Sequence, residues 1–321
     1  MVKYIVSKNE EGQTLEKYVK KVLRDAPLSI IYRLFRKKDI KINGHWEDKK
    51  YIIKEGEEVS IYLSDSQIEE FKNKKQANSN EKINEWIIYE DENIILINKP
   101  RGVLVQKDEG NEEALDDMVI SYLINKKEYD PTKDLGYVPA PAHRLDRNTA
   151  GIVIFGKNLL TLQYLSKIIS DKSKIEKTYY ALVKGKTDKK GEISLPLLKK
   201  KTHVDVDFAS GKEAITNYKL VRYIKDDYSL IEVRLLTGRT HQIRVHLSKI
   251  NHPVVGDTKY GDFKLNKEIE EKYGFKNQFL VAYKLEFKNV EGPIKKLSYQ
   301  TFEISLPIEC QKLLIELEKK E

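Results

Sequence analysis

The sequence predicts an α+β protein of more than one domain, and three observations carry that prediction. Its 321 residues are long enough for two domains of ordinary size and one sizeable buried core. A polar stretch over 64–84, rich in Asn, Lys, Ser and Gln with little to bury, separates two patterned regions. Beyond it, strand-like and helical runs mix without the regular alternation that marks a doubly wound parallel sheet.

In the first region, Thr14 is placed to cap a helix carrying Leu15, Tyr18, Val19, Val22 and Leu23 at helical spacing, ending before Pro27. Ser29 is expected to cap a second helix with Ile30, Ile31, Leu34 and Phe35 inward and Arg33, Arg36, Lys37 and Lys38 on a basic outer face. Short strands follow at Ile40–Ile42 and Glu58–Tyr62, with turn signals at Asn43-Gly44 and Glu55-Gly56. The unit is read as 12–63. The second region carries strand-like runs at Ile94–Ile97, Ile152–Phe155, Tyr179–Val183 and Leu230–Leu235, helical stretches at Ala114–Leu123 and Leu159–Ile169, and a short terminal helix from Glu309.

Fifty-eight Lys and Arg against 50 Asp and Glu give a net charge of +8, which favours a polyanionic partner such as nucleic acid. A single cysteine, Cys310, rules out a disulfide framework and a Cys-rich zinc site. The N-terminal residues have no apolar run of signal-peptide length, and no later run is long enough for a bilayer. A soluble protein of a reducing cytoplasm is therefore expected, with no membrane partner.

Three stretches carry chemistry. Asn98-Lys99-Pro100-Arg101-Gly102 leaves an apolar strand through a turn that holds Lys99 and Arg101 where they could meet phosphate, and it equally describes a basic surface turn. His143-Arg144-Leu145-Asp146-Arg147, stiffened by Pro139 and Pro141 and followed by Gly151, sets a carboxylate among cations on a rigid loop. Taken alone, a lone Asp between arginines is more often an ion-paired turn than a nucleophile or base. In Thr237-Gly238-Arg239-Thr240-His241-Gln242-Ile243-Arg244-Val245-His246, the two His are five residues apart without an acidic ligand between them. That spacing is not the four-residue step that sets two imidazoles on one helix face. No metal is expected, and Arg239 and Arg244 read as partners for carboxylate or phosphate. A later segment, Pro253–Gly261, has the glycine spacing of a tightly packed loop. Phosphate-binding glycine loops, dinucleotide fingerprints and nucleophile elbows are absent from the sequence.

Together these stretches closely resemble the RluA-type pseudouridine synthases, especially their RluC-like and RluD-like branch, from about Gly12 to about Pro307. The resemblance implies a small N-terminal S4-type RNA-binding domain over 12–63, a linker over 64–84, and a catalytic domain over 85–308 on a mixed, largely antiparallel sheet with flanking helices. A terminal helix over 309–321 completes it. It further implies that Asp146 attacks the anomeric carbon or removes the neighbouring ribose hydrogen, that Arg244 pairs with Asp146, and that Tyr179 stacks on the target base and assists loss of the carbon 5 proton. On the residues alone, Tyr179 could instead be a strand tyrosine of the core. Leu280 corresponds to the apolar residue beneath the site, Arg144 to one that helps a nucleotide leave its stack, and Arg239 to an RNA or loop contact. Lys99, Arg101, Arg33, Arg36, Lys37 and Lys38 are assigned to RNA. No cofactor is implied. The expected partner is structured RNA, foremost 23S ribosomal RNA or its precursor with transfer RNA as the alternative, bound by a monomer.

The chain departs from the family at three places: Asn148 and Ala150 where Asp and Ser are common, and Val281 where His is common. Two other classes compete, a noncatalytic RNA-binding protein and a glycosidase. The first is opposed by the retained Asp146, Tyr179 and Arg244. The second is opposed by the lack of a second partnered carboxylate.

Overall fold

The computed structural model describes residues 1–23, 26–63, 82–107, 113–134, 136–201 and 203–319. The chain divides into two compact units, one of Met1–Ile95, Gln106–Ala142 and Ile154–Leu165, the other of Leu96–Val105, His143–Val153 and Ser166–Glu321.

The first unit opens with β1 (Val2–Ile5), α1 (Leu15–Val22), α2 (Leu28–Lys37), β2 (Ile40–Ile42), β3 (His45–Trp46) and β4 (Glu58–Ile61), the strands lying in the order β1-β4-β2-β3. All their pairings are antiparallel. Thr14 caps α1 as expected, its hydroxyl accepting from the Lys17 N–H at 3.3 Å. Ser29 does not cap α2. The helix begins two residues earlier than that cap would set it, at Leu28, with Pro27 at its N-cap and no side-chain cap. Asn43 and Gly44 turn β2 into β3 at φ 49° and 83°, the left-handed pair that suits a two-residue hairpin. Leu15, Tyr18, Val19, Ile31, Leu34, Ile40, Ile42, Val59 and Ile61 close one core under both helices. Strand β1, not anticipated before Gly12, supplies Tyr4 to that core. Most of the expected linker, 64–81, lies outside the described residues, and Lys82 leads into α3 (Ile83–Trp86). There follow β5 (Ile87–Glu90), the start of β6 (Ile94–Lys99), α4 (Leu115–Asn125), β7 (Ala140–Pro141), the end of β8 (Ala150–Gly156) and most of α5 (Leu159–Ile168).

The second unit holds β9 (Ile175–Lys184), β10 (Lys190–Ser194), β11 (Leu197–Lys199), β12 (Val204–Val206), β13 (Ile215–Ile224) and β14 (Tyr228–Leu235). It continues with α6 (Gln242–Lys249), α7 (Phe263–Tyr273), β15 (Leu280–Phe287), β16 (Thr301–Glu303) and α8 (Ile308–Glu318). Its main sheet runs β10-β13-β14-β9-β15-β8, with β16 paired to β15 off that path. The β15–β8 pair is parallel and the others are antiparallel, so the sheet is mixed and largely antiparallel. Alternation along β9 decides what each face receives. Tyr179, Ala181 and Val183 enter a core with Leu280, Ile243 and Leu247, whereas Tyr180 and Leu182 enter a core with Tyr283, Phe279 and Leu313.

Gly151 makes the parallel pair possible. Its φ is 131°, and a Cβ there would lie 2.4 Å from the Ala282 carbonyl oxygen, so only glycine lets β8 approach β15 so closely. Among the described residues no helix is long and apolar enough to cross a membrane.

Candidate active site

Asp146 sits on the loop before β8, and its partners arrive from elements distant in sequence. Arg244, in the first turn of α6, donates from Nη1 to Asp146 Oδ2 at 2.9 Å. The other edge of the same guanidinium grips Asp257, Nε to Oδ2 at 2.6 Å and Nη2 to Oδ1 at 2.8 Å. This paired geometry is what a planar guanidinium offers a carboxylate. Asp257 is 0% exposed; burial alone would raise its pKa, but the hydrogen bonds and charge of Arg244 outweigh burial and hold it below the usual range. Burial likewise works against the charge on Arg244, and the two carboxylates outweigh it. The Lys259 and Tyr260 N–H groups donate to Asp257 Oδ1 at 2.9 and 3.0 Å, so the carboxylate that grips Arg244 is itself anchored and keeps the guanidinium turned toward Asp146.

A longer contact lies near the other oxygen of Asp146. His241, at φ 53° on the N-cap of α6, brings Nε2 to 3.9 Å from Asp146 Oδ1 and keeps Nδ1 at 2.8 Å from the Tyr260 hydroxyl. Burial depresses the His241 pKa, with the Asp146 charge opposing.

The loop is fixed from beneath by Lys99. Its ammonium donates to three carbonyl oxygens, of Pro100 at 2.8 Å, Val103 at 2.9 Å and Arg147 at 3.0 Å. Gly102 and Arg147 exchange two more hydrogen bonds of 3.0 Å, backbone N–H to Arg147 O and Arg147 Nε to Gly102 O. The first sequence motif is thus the brace of the second. Tyr179 is buried in the core that also takes Leu280 and the Leu145 side chain next to Asp146. Burial, reinforced by the Asp146 charge, pushes the Tyr179 phenol well above its ordinary value, so the hydroxyl stays protonated at neutral pH.

The whole arrangement is a braced carboxylate held by one arginine beside a buried tyrosine, a site equipped for nucleophilic or base chemistry. Among the described residues no group of three or more His, Cys, Asp or Glu is placed to share a metal.

The model of a family described as RNA pseudouridylate synthase matches residues 93–249. An uncharacterized RNA pseudouridine synthase of Mycoplasma capricolum is 36% identical over 316 residues, covering 93% of this chain and 95% of its own. The chain belongs to the RNA pseudouridine synthases. Ribosomal large subunit pseudouridine synthase C of Buchnera aphidicola is 35% identical, with 88% of each chain covered, and synthase D of another Buchnera strain is 31% identical over 95% of each. These names put the chain in the RluA-type group that its motifs resemble. A solved structure, human RNA pseudouridylate synthase domain containing 4, shares the fold, with a TM-score of 0.59 at 20% identity over 74% of this chain and 94% of its own.

Within this RNA pseudouridine synthase, two residues expected to meet RNA do something else. Lys99 is buried with all its protons given to backbone carbonyls. Burial pushes it down to about 7, so it braces the loop and has no donor left for phosphate. Arg101 is held inside the second unit, Nη2 at 2.8 Å from Cys310 Sγ, Nε at 3.7 Å from Glu309, and its guanidinium 4.8 Å above the Phe275 ring. The sequence could not tell these apart from phosphate contacts, because a basic turn after a strand reads the same whether its cations face in or out. Arg144 is exposed beside the loop. Arg239 spends Nε on the Glu213 carbonyl at 3.0 Å, while Arg33, Arg36, Lys37 and Lys38 lie on the first unit, all four exposed at its surface.

Sequence reasoning missed Asp257, His241 and Tyr260 as members of this cluster. The glycine-flanked segment around Asp257 was the available signal. Gly256, at φ 78° with Asn277 O 2.3 Å from a notional Cβ, folds that segment tightly enough to bury the carboxylate. Two of the three departures from the family prove to be neighbours, because Ala150 and Val281 are register partners in the parallel pair and share one core. An apolar pair therefore stands at one spot in the sheet where the resemblance implies Ser and His.

Proposed function

We propose that this synthase isomerises uridines of large-subunit ribosomal RNA, the substrate carried in the names of its C and D relatives, with Asp146 as the catalytic carboxylate. The observation that carries the residue assignment is the 2.9 Å bond from Arg244 to Asp146. It fixes one carboxylate oxygen and leaves the other as the atom that attacks carbon 1′ or removes the 2′ hydrogen. The N1–C1′ bond breaks, the uracil turns, and a C5–C1′ bond forms. The carbon 5 proton then leaves and N1 gains one, so the base is isomerised without net loss of atoms. Tyr179 packs under the base and its protonated hydroxyl assists that proton exchange. Leu280 and Leu145 shape the apolar floor. Arg144, exposed next to Asp146, takes the space of the extruded nucleotide in the helix. The N-terminal module, an S4-type domain in this reading, holds flanking RNA through Arg33, Arg36, Lys37 and Lys38.

Mapping of pseudouridine across ribosomal and transfer RNA in cells lacking the gene, complemented with wild type or Asp146→Asn, tests the assignment. Sites in large-subunit RNA should vanish in the deletion, return with wild type and stay absent with the variant. Sites returning with Asp146→Asn would remove Asp146 from the chemistry, and sites that vanish only from transfer RNA would overturn the substrate.

A further inference from the structure

Strand β2 sends Ile40 and Ile42 into the core of the first unit and turns Lys41 outward. Lys41 lies directly across from Trp46 on β3, so the two side chains share a face of the sheet. Trp46 is 46% exposed and Tyr62, just past β4, is 42% exposed. Each ring carries one lysine: Lys38 Nζ lies 4.9 Å from the Trp46 ring centre and Lys41 Nζ lies 5.1 Å from that of Tyr62. Lys38 is held there by backbone, since it closes α2 in the left-handed conformation at φ 59° with its N–H on the Phe35 carbonyl at 3.1 Å.

The charge state of this patch sets it apart from the other exposed lysine and tyrosine cluster of the unit. There, Lys20 lies 4.8 Å from the Tyr32 ring, but Glu16 takes the Lys20 ammonium at 2.7 Å and the Tyr32 hydroxyl at 3.0 Å. That cluster holds a carboxylate of its own, although Lys49 Nζ also lies 5.7 Å from the Tyr32 ring. Lys38 and Lys41 have no carboxylate partner among the described residues, and neither do Arg33, Arg36 and Lys37, which stand three and four residues apart along one face of α2. Two half-exposed aromatic rings, each next to an ammonium with no carboxylate partner among the described residues, match the two halves of a nucleotide, a flat base and its phosphate.

We propose that Trp46 and Tyr62 form a stacking platform for unpaired bases of the substrate RNA, with Lys38 and Lys41 holding the adjoining phosphates. The proposal rests on the reading that the N-terminal unit engages RNA, and it goes beyond that reading by selecting unpaired over paired RNA. A duplex buries its base faces within its own stack and can use the cations but not the rings. A ring has two faces and its lysine covers one, so a base adds to the other face and brings its phosphate toward the ammonium.

The full-length protein should be titrated with two RNAs of equal length, a blunt duplex and a hairpin with a single-stranded loop, at several salt concentrations. Trp46→Ala and Tyr62→Ala should each weaken hairpin binding roughly tenfold, leave duplex binding unchanged and leave the salt slope of both intact. Trp46→Phe should recover most of the affinity, which a general folding defect would not permit. In a Trp86→Phe background the hairpin should quench the fluorescence of Trp46 and the duplex should not. Hairpin affinity unchanged by both alanine variants, or an equal weakening on both RNAs, overturns the platform. The triple variant Arg33→Ala, Arg36→Ala, Lys37→Ala separates the two readings. If it weakens both RNAs and flattens the salt slope while the aromatic variants bind normally, the module still engages RNA and the platform is wrong. If neither set has an effect, both readings fall.

Discussion

Arg244 and Asp257 are joined edge to edge by hydrogen bonds of 2.6 and 2.8 Å, buried together, and it is this pair that presents the remaining Nη1 to Asp146. The carboxylate with the deepest burial therefore orients Arg244, and the more accessible one is the carboxylate proposed to react. The division of labour follows from solvent. A charge that must meet substrate cannot be sealed off, while the charge that fixes its partner gains from being sealed.

Asp257→Asn should consequently damage both folding and rate. Removing one member of a buried pair leaves Arg244 uncompensated, at a cost of about 3–5 kcal/mol, and turnover should fall by about a hundredfold as Arg244 loses its orientation. Denaturant unfolding and single-turnover kinetics on the same RNA check the two effects. A variant as stable and as fast as wild type would deny Asp257 this role.

The two adjacent tyrosines should part company on substitution. Tyr180 stacks on Tyr283 with ring centres 3.8 Å apart, on the face of β9 opposite Tyr179. Tyr180→Phe should leave turnover intact and cost at most about 1 kcal/mol of stability. Tyr179→Phe should slow turnover with little change in RNA affinity, because the ring remains and the hydroxyl is gone. Equal kinetics for the two variants would place the function in neither hydroxyl.

A pH effect on stability is expected from His246. Its Nδ1 meets the Thr216 hydroxyl and its Nε2 the Leu195 carbonyl, both at 2.9 Å. Burial lowers its pKa from 6.5, with the Leu195 hydrogen bond opposing. The unfolded chain takes up this proton near 6.5 and the folded one only at lower pH. The contribution of the neutral ring is thus complete above about 6.5 and declines as pH falls toward the native value. Thermal melts of wild type between neutral and mildly acidic pH should show the decline, and the His246 ring followed by NMR should titrate below 6.5. Native titration at or above that value would contradict it.

Cations of the first unit and of the loop brace should separate by salt. Replacing Arg33, Arg36 and Lys37 together should lower the log–log salt slope of RNA binding by about 0.7–0.9 for each phosphate that is no longer neutralised. Lys99→Met should leave that slope unchanged and cost stability instead, because its ammonium serves Pro100, Val103 and Arg147. A reduced slope in Lys99→Met would restore the phosphate role that its sequence motif implied.

Local chemistry determined a great deal of this protein on its own. The cap at Thr14, the Asn43-Gly44 hairpin, the apolar strands and the basic outer face of α2 are all decided within a few residues, so periodicity and turn residues reveal them. The bond between Arg244 and Asp146 was legible because the three motifs stand together in order, and the resemblance they carry pairs those two residues. Tertiary structure alone decided which way ambiguous side chains face. Lys99 and Arg101 turned inward, because the Arg147 carbonyl and the Cys310 thiol, both distant in sequence, accept from them. Asp257, unremarkable in its own segment, became the anchor of the site because Gly256 lets that segment fold back and bury it against Arg244, 13 residues away in the chain. Sequence spacing reports which face of an element a residue occupies. The burial and partners that give a charge its role exist only once the elements have packed.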